Sequence, residues 1–299
     1  MRVCLCGEDL DWLGYRCIAA AIDQRVSVAL TETAGAEFFD ERILDHVWSL
    51  VGGDPDAPRP RVRVAQDAPL AAGLGSSSAV ALCAARLYHA RLHGPALSDE
   101  RAVEVAYEAE RRVTRGGGMD QVAIARRGIV RLQGTRERRP PAVVGHITDA
   151  AQVAGLGMAV FDSRSRKDSG KHLARVRERD LARDPRQARY CEIVDQLTEG
   201  AWTAIRSRDW PGLGTIMNQA HAAMRDLQDM STPAIEAIRD IALSAGFDGV
   251  KITGSGSGGC LVGVVSRVSL GEAVRRVGEL ASTRRIRLDC LPVRVDMGA

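Results

Sequence analysis

An α+β fold in two halves is the architecture that this 299-residue chain predicts, and three observations carry the prediction. Helical and strand-like segments follow one another without the regular strand–helix–strand alternation of a parallel sheet, which favours mixed, antiparallel pairing. Two glycine-rich runs, Gly73-Leu74-Gly75-Ser76-Ser77-Ser78 and Gly254-Ser255-Gly256-Ser257-Gly258-Gly259, each follow a strand-like stretch and fall in different halves. Between them Pro140-Pro141, after the charged run Arg136 to Arg139, marks a loop near a domain boundary. The division that follows is one domain over residues 1–150 and a second over residues 151–299.

The elements read in order as follows. Val3 to Cys6 is a first strand that turns at Gly7, and Val26 to Leu30 is a second. Residues 35 to 60 hold a short helix and the loop Gly52-Gly53-Asp54-Pro55. Arg61-Val62-Arg63-Val64-Ala65 alternates charged and apolar side chains, as a half-buried strand does. From Ala79 to about Leu92 the chain has no Gly or Pro and is full of helix formers. Ser98 to Val113 is a further helix, with Ser98 as its N-cap and Asp99 and Glu100 in the first turn, where the macrodipole favours acids. Gly116-Gly117-Gly118 breaks that helix before Met119-Asp120-Gln121. Val153 to Asp162 opens the second half as a strand, and helices are expected at about 172–180, 186–207, 211–226 and 232–245. Gly249 to Thr253 and Leu261 to Val265 are strands on either side of the second glycine run, and residues 274–280 and 286–295 close the chain as helix and strand.

Composition narrows the function. Hydrophobic residues at 45% and charged ones at 26% are those of a globular protein. A net charge of +3 is too small to imply a nucleic-acid partner. No apolar stretch is long enough to span a bilayer, and the N-terminus enters a strand directly, without a signal peptide. The seven cysteines are odd in number and lie in apolar segments, and no second pair stands at zinc-ligand spacing beside Cys4 and Cys6. Reduced core thiols in a cytoplasmic protein are therefore expected. His89 and His93 share a helix face, but no acidic third ligand accompanies them, so they read as surface or packing residues. Only Lys167, Lys171 and Lys251 are lysines, which makes each of them noteworthy.

The first glycine run carries the chemistry. A flexible loop that empties into a helix N-terminus offers free N–H groups and a positive dipole end to an anion. The serines add hydroxyl donors and a possible oxygen ligand for Mg²⁺. The reading is a phosphate cradle, with simple capping of a structural helix as its alternative. No Gly-Lys-Ser/Thr follows, and the third glycine of a dinucleotide fingerprint is absent, so it is neither of those two phosphate loops.

Three segments agree with that reading: Arg2-Val3-Cys4-Leu5-Cys6-Gly7-Glu8-Asp9-Leu10-Asp11-Trp12, continuing to Ala19-Ala20-Ala21-Ile22-Asp23; Pro69 to Ser78; and Lys251 to Cys260. In this order they resemble the substrate-end motif, the phosphate loop and the C-terminal glycine motif of the GHMP small-molecule kinases, the superfamily of galactokinase, homoserine kinase and mevalonate kinase. Gly118-Met119-Asp120-Gln121 resembles the galactokinase segment that holds the catalytic aspartate. Asn218 to His221, Arg225-Asp226 and Ser231-Thr232-Pro233 follow the family's C-terminal helices.

The resemblance implies a two-domain fold, ribosomal protein S5 domain 2-like in the N-terminal half and ferredoxin-like in the C-terminal half. It implies that Asp120 accepts or orients the acceptor's hydroxyl proton and that Arg2 stabilises Asp120 and the transferring phosphoryl group. Gly73, Leu74, Gly75, Ser76, Ser77 and Ser78, with Gly254 and Gly256, correspond to ATP-binding positions. Glu110 and Ser77, with Ser76 and Ser78 as alternatives, correspond to Mg²⁺ ligands. Glu8, Asp9 and Asp11 fall at the acceptor site, where carboxylates suit a polyol and repel an anion. Galactokinase-like proteins keep a histidine where this chain has Asp9, and mevalonate kinase lacks an aspartate at the position of Asp11. The length and the run Ile18 to Asp23 lean toward mevalonate kinase. The expectation is an ATP- and Mg²⁺-dependent sugar kinase acting at the anomeric hydroxyl. A mevalonate- or homoserine-type kinase and a silent sugar- and nucleotide-sensing regulator are the alternatives. The partners are then a small molecule and ATP, with neither nucleic acid nor membrane, and the oligomeric state stays open.

Overall fold

Strand β1 (Arg2–Cys6) is buried at every position, and β2 (Arg16–Ala21) at all but its first. The structure, a computed structural model, describes residues 1–32, 40–54, 56–67, 73–95, 97–114, 116–165 and 169–298. Pro55 and residues 69–72, read above as parts of loops, lie outside them. The chain continues through β3 (Val26–Leu30), α1 (Glu41–Leu50), β4 (Val62–Gln66), α2 (Ser76–His93), α3 (Asp99–Val113), α4 (Met119–Arg126), β5 (Ile129–Gln133) and β6 (Ala142–Ile147). Strands β1, β2, β5 and β6 form an antiparallel sheet in that order, and β3 pairs with β4 in a separate ribbon.

Strand β7 (Gly157–Asp162) opens the rest, followed by α5 (Ser169–Leu181), α6 (Pro185–Ser207), α7 (Trp210–Gln228), α8 (Pro233–Ser244), β8 (Gly249–Ile252), β9 (Cys260–Val265), α9 (Leu270–Arg284) and β10 (Asp289–Val293). A second antiparallel sheet runs β10-β7-β9-β8. The result is the mixed helix-and-sheet, two-part architecture expected of the fold class.

Several elements depart from the sequence reading, each for a physical reason. Strand β2 was not anticipated. It is Arg-Cys-Ile-Ala-Ala-Ala, buried on both faces, so it shows neither alternation nor many β-branched residues. Strands β5 and β6 and helix α4 were also not anticipated. Helix α2 starts at Ser76, before the expected Ala79, so the three serines form its first turn. Strand β7 starts at Gly157, because Ala150–Val153 form a 3₁₀ turn. Ser98 caps α3 as expected, its side chain accepting from Arg101 N at 3.2 Å. All seven cysteines are free, and five of them are buried. Among the described residues no helix is long and apolar enough to cross a membrane.

The two sheets meet where β1 leads into its turn. Cys4 N donates to Thr253 Oγ1 at 3.0 Å. The Lys251 ammonium, fully buried, donates to Glu8 Oε1, to Cys4 O at 3.1 Å and to Ile252 O at 2.6 Å. An ammonium has three N–H donors, and here each has an acceptor. Removing one partner of such a pair strands a buried charge. Lys251→Met is therefore expected to cost about 3–5 kcal/mol in urea unfolding, and Lys251→Met with Glu8→Leu to recover most of that loss. An equal loss in the single and double variants would show that the ion pair is not what joins the sheets.

Candidate active site

A cleft of about 380 Å³ opens between the first turn of α2, the turn after β1, the start of α4 and the loop after β8. Two helix N-termini border it, those of α2 and α4. Their N-caps, Gly75 and Gly118, supply no side-chain oxygen to the first-turn N–H groups. The start of α2 thereby leaves donors and a partial positive charge available to an anion, whereas the first N–H of α4, that of Met119, is taken by Asp11. Gly75 sits at φ +72°, and a Cβ there would lie 3.3 Å from both Arg2 Cγ and Asp120 Oδ2. Only glycine combines that left-handed turn with so close an approach.

Arg2 and Asp120 form a bidentate pair across the cleft floor. Arg2 Nε donates to Asp120 Oδ1 at 2.7 Å and Nη2 to Oδ2 at 2.6 Å, while Nη1 donates to Gly73 O. The backbone of Arg2 also donates to Leu74 O at 3.0 Å, so β1 and the glycine loop are stitched together. Burial opposes the charge on Arg2, but the Asp120 carboxylate outweighs it and the guanidinium pKa is raised. Asp120 stays partly open to solvent, with its side chain 24% exposed.

Glu110, from the last turns of α3, faces the α2 serines. Ser77 Oγ donates to Oε1 at 2.5 Å, Ser78 Oγ to Oε2 at 2.6 Å, and Gln121 Nε2 to Oε2 at 2.5 Å. Burial pushes the Glu110 carboxyl up, and the serine hydroxyls pull it part of the way back. Among the described residues no group of three or more His, Cys, Asp or Glu side chains is arranged to hold a metal by itself. One carboxylate with serine hydroxyls is nevertheless the hard oxygen set that Mg²⁺ accepts when phosphates and waters complete its shell. Gln121 Oε1 is buried without a partner beside this group.

The acidic turn separates into three different environments. Glu8 is held by Lys251, with Oε2 buried and unpartnered. Asp9, at φ 64°, bonds His172 Nε2 at 2.6 Å. Asp11 Oδ2 accepts from Met119 N at 2.9 Å. That last bond explains one member of the glycine run, since a Cβ on Gly117 would lie 2.2 Å from Asp11 Oδ2. Burial drives Asp11 up to about 7, against the Met119 N–H and with the charges of Asp120 and Asp9.

The cleft thus gathers Arg2, Glu8, Asp9, Asp11, Gly73, Gly75, Ser76, Ser77, Ser78, Glu110, Asp120 and Gly254. Leu74 is buried in the core behind it, and Gly256 packs against Met230. Sequence reasoning placed Trp12 and Gln121 within motif segments without giving either a role, missed His172, and gave Lys251 no task. The scarcity of lysine was the one available signal for Lys251. Nothing local marked His172.

Two family models match the chain: GHMP kinases N terminal domain over residues 41–128 and GHMP kinases C terminal over residues 202–282. The chain is 27% identical over 277 residues to a mevalonate kinase of Methanothermobacter thermautotrophicus, covering 87% of each. It is 28% identical over 239 residues to a galactokinase of Roseiflexus sp., covering 69% of this chain and 61% of that protein. A crystal structure of L. major mevalonate kinase in complex with R-mevalonate superposes with a TM-score of 0.78 at 17% identity, over 98% of this chain and 93% of that one. At that identity the likeness bears on the fold alone.

Asp11 has a consequence for stability. Its pKa rises from 3.8 to about 7 on folding, so between those values the folded chain binds more protons than the unfolded one. Its contribution is complete at the acid end and is lost as pH rises through about 7. Asp11→Asn keeps an acceptor for Met119 N and cannot ionise, so its urea midpoint is expected to fall less than the native one between about pH 5 and pH 8. Parallel midpoints in the two proteins would remove Asp11 as a cause.

Proposed function

The chain belongs to the GHMP kinases, small-molecule phosphotransferases with an alcohol group as acceptor, and on that premise we propose that it is an ATP- and Mg²⁺-dependent kinase of a sugar or sugar derivative, acting at the anomeric hydroxyl. The observation that carries the sugar reading is the charge of the acceptor end. Among the described residues bordering the cleft, Arg2 is the one arginine or lysine, and Asp120 and Gly73 O already engage it. Asp9 and Asp11 face the same space, Asp11 with a carboxyl that burial lifts to about 7. Such a wall accepts hydroxyl hydrogen bonds and repels a carboxylate-bearing acceptor.

In this reading Asp120 takes or orients the proton of the acceptor hydroxyl. That oxygen bonds to the γ-phosphorus of ATP as the bond to the β–γ bridging oxygen breaks, and ADP leaves. Arg2 fixes both Asp120 oxygens and lends positive charge to the transferring group. The uncapped start of α2, with Ser76 to Ser78, fits the phosphates, and Gly254 borders the nucleotide side. Glu110 and Ser77 are the residues that would hold magnesium, and Ser78 shares the same carboxylate. The metal, when bound, neutralises charge on the phosphate oxygens. The assembled Arg2–Asp120 and Ser77–Glu110 pairs argue against a silent regulator.

A mevalonate-type acceptor is the second reading, favoured by the Methanothermobacter thermautotrophicus relative, with which the match spans 87% of both chains. A coupled ADP-release assay over neutral sugars, amino sugars, uronic acids, mevalonate and homoserine separates the two. Turnover of mevalonate or homoserine alone would sink the sugar assignment. Asp120→Asn is expected to lower kcat by about 10²–10⁴-fold while ATP affinity stays within a few-fold. Near-native turnover in that variant would take Asp120 out of the mechanism. Glu110→Gln is expected to raise the Mg²⁺ concentration for half-maximal rate by about tenfold, the loss of one charge-assisted ligand. An unchanged magnesium titration would remove Glu110 from the metal site.

A further inference from the structure

One wall of the cleft comes from a helix that the sequence did not connect with it. Helix α5 places Leu173 on the cleft wall and, one residue earlier, His172, whose side chain is 3% exposed. His172 Nε2 lies 2.6 Å from Asp9 Oδ2, and its Nδ1 lies 3.5 Å from Arg175 Nη2, which also donates to Gln228 O at 2.6 Å. A carboxylate oxygen accepts, so Nε2 carries the proton given to Asp9, and Arg175 stands beside Nδ1. Trp12, on the same turn as Asp9, also borders the cleft, and its Nε1 is buried with no hydrogen-bond partner.

We propose that His172 is a specificity-determining residue: it holds Asp9 so that this carboxylate reads a hydroxyl of a neutral polyol other than the one phosphorylated. A hydroxyl donates, so it satisfies the Asp9 carboxylate. A carboxylate is repelled by Asp9, and a hydrogen in place of the hydroxyl leaves buried groups unpaired. The inference rests on the sugar-kinase reading above and assigns the acceptor's recognition to a residue pair rather than to the acidic turn alone.

The test uses the full chain in the coupled ADP-release assay, with neutral hexoses and their singly deoxygenated analogues as probes. The native enzyme is expected to reject at least one deoxy analogue by about 100-fold or more in kcat/KM, as sites built around a hydroxyl do. His172→Ala should raise the acceptor KM about tenfold, leave the ATP KM within about twofold, and lose most of that discrimination. His172→Gln, whose amide can donate where Nε2 did, should stay within about threefold of native. Sugar turnover with an unmoved acceptor KM in His172→Ala, or acceptor and ATP KM rising together, overturns the inference alone. So does equal acceptance of every deoxy analogue by the native enzyme, whether or not the variants fold. Silence of the native enzyme on every sugar overturns the sugar-kinase reading and this inference together.

Discussion

The site depends on one buried ammonium group. Lys251 Nζ reaches from β8 to the Glu8 carboxylate and the Cys4 carbonyl, and so ties the second sheet to the turn that follows β1. Burying a charge is costly unless its polar contacts are met, and three acceptors around three N–H groups meet that condition for the ammonium, while Glu8 Oε2 is left without a partner. What the pair secures is geometry. With Glu8 anchored, Asp9 and Asp11 are held between the start of α4 and helix α5, and Thr253 keeps the second glycine loop against β1. Two separately built sheets therefore share one cleft without a long linker between the groups that matter.

Electrostatics divides that cleft into two ends. Toward the glycine loop, the uncapped start of α2 and the Arg2 guanidinium supply positive potential, and Glu110 stands opposite the α2 serines. Toward the β1 turn, carboxylates dominate, and each is restrained differently: by an ammonium, by an imidazole, or by a backbone N–H. The arrangement suits a polyanionic donor at one end and a hydroxyl-rich acceptor at the other. Burial without a countercharge is what lifts Asp11 toward neutrality, while Glu8 has Lys251 to oppose the same effect.

Much of this was legible in the chain, and the omissions share a cause. Helices α3 and α6 to α8 announce themselves through caps and period, and Ser98 does cap α3. That the first glycine run, Glu110 and Asp120 lie together in one cleft was legible because ordered motifs constrain one another. Strand β2 was hidden because burial on both faces erases alternation, and its alanines carry little strand signal. His172 was hidden because its partner lies 163 positions away and neither residue bears a local mark. The serines were read as loop because the turn that starts α2 is made by the φ of Gly75, a backbone property that composition does not display. Local chemistry was readable, while the pairing of distant side chains was not.

Gly75 also bears on how such a chain can diverge. Position 75 is wedged among Arg2, Asp120 and Ile124, and a methyl group there would meet all three. Drift at any one of these positions requires compensation at the others, so the donor side of the cleft changes as a block or stays as it is. The α5 wall meets the acidic turn through a side-chain contact, that of His172 with Asp9, rather than through a glycine backbone. On the proposed function, a change of acceptor preference is therefore more accessible through α5 than through the tightly packed surroundings of Gly75.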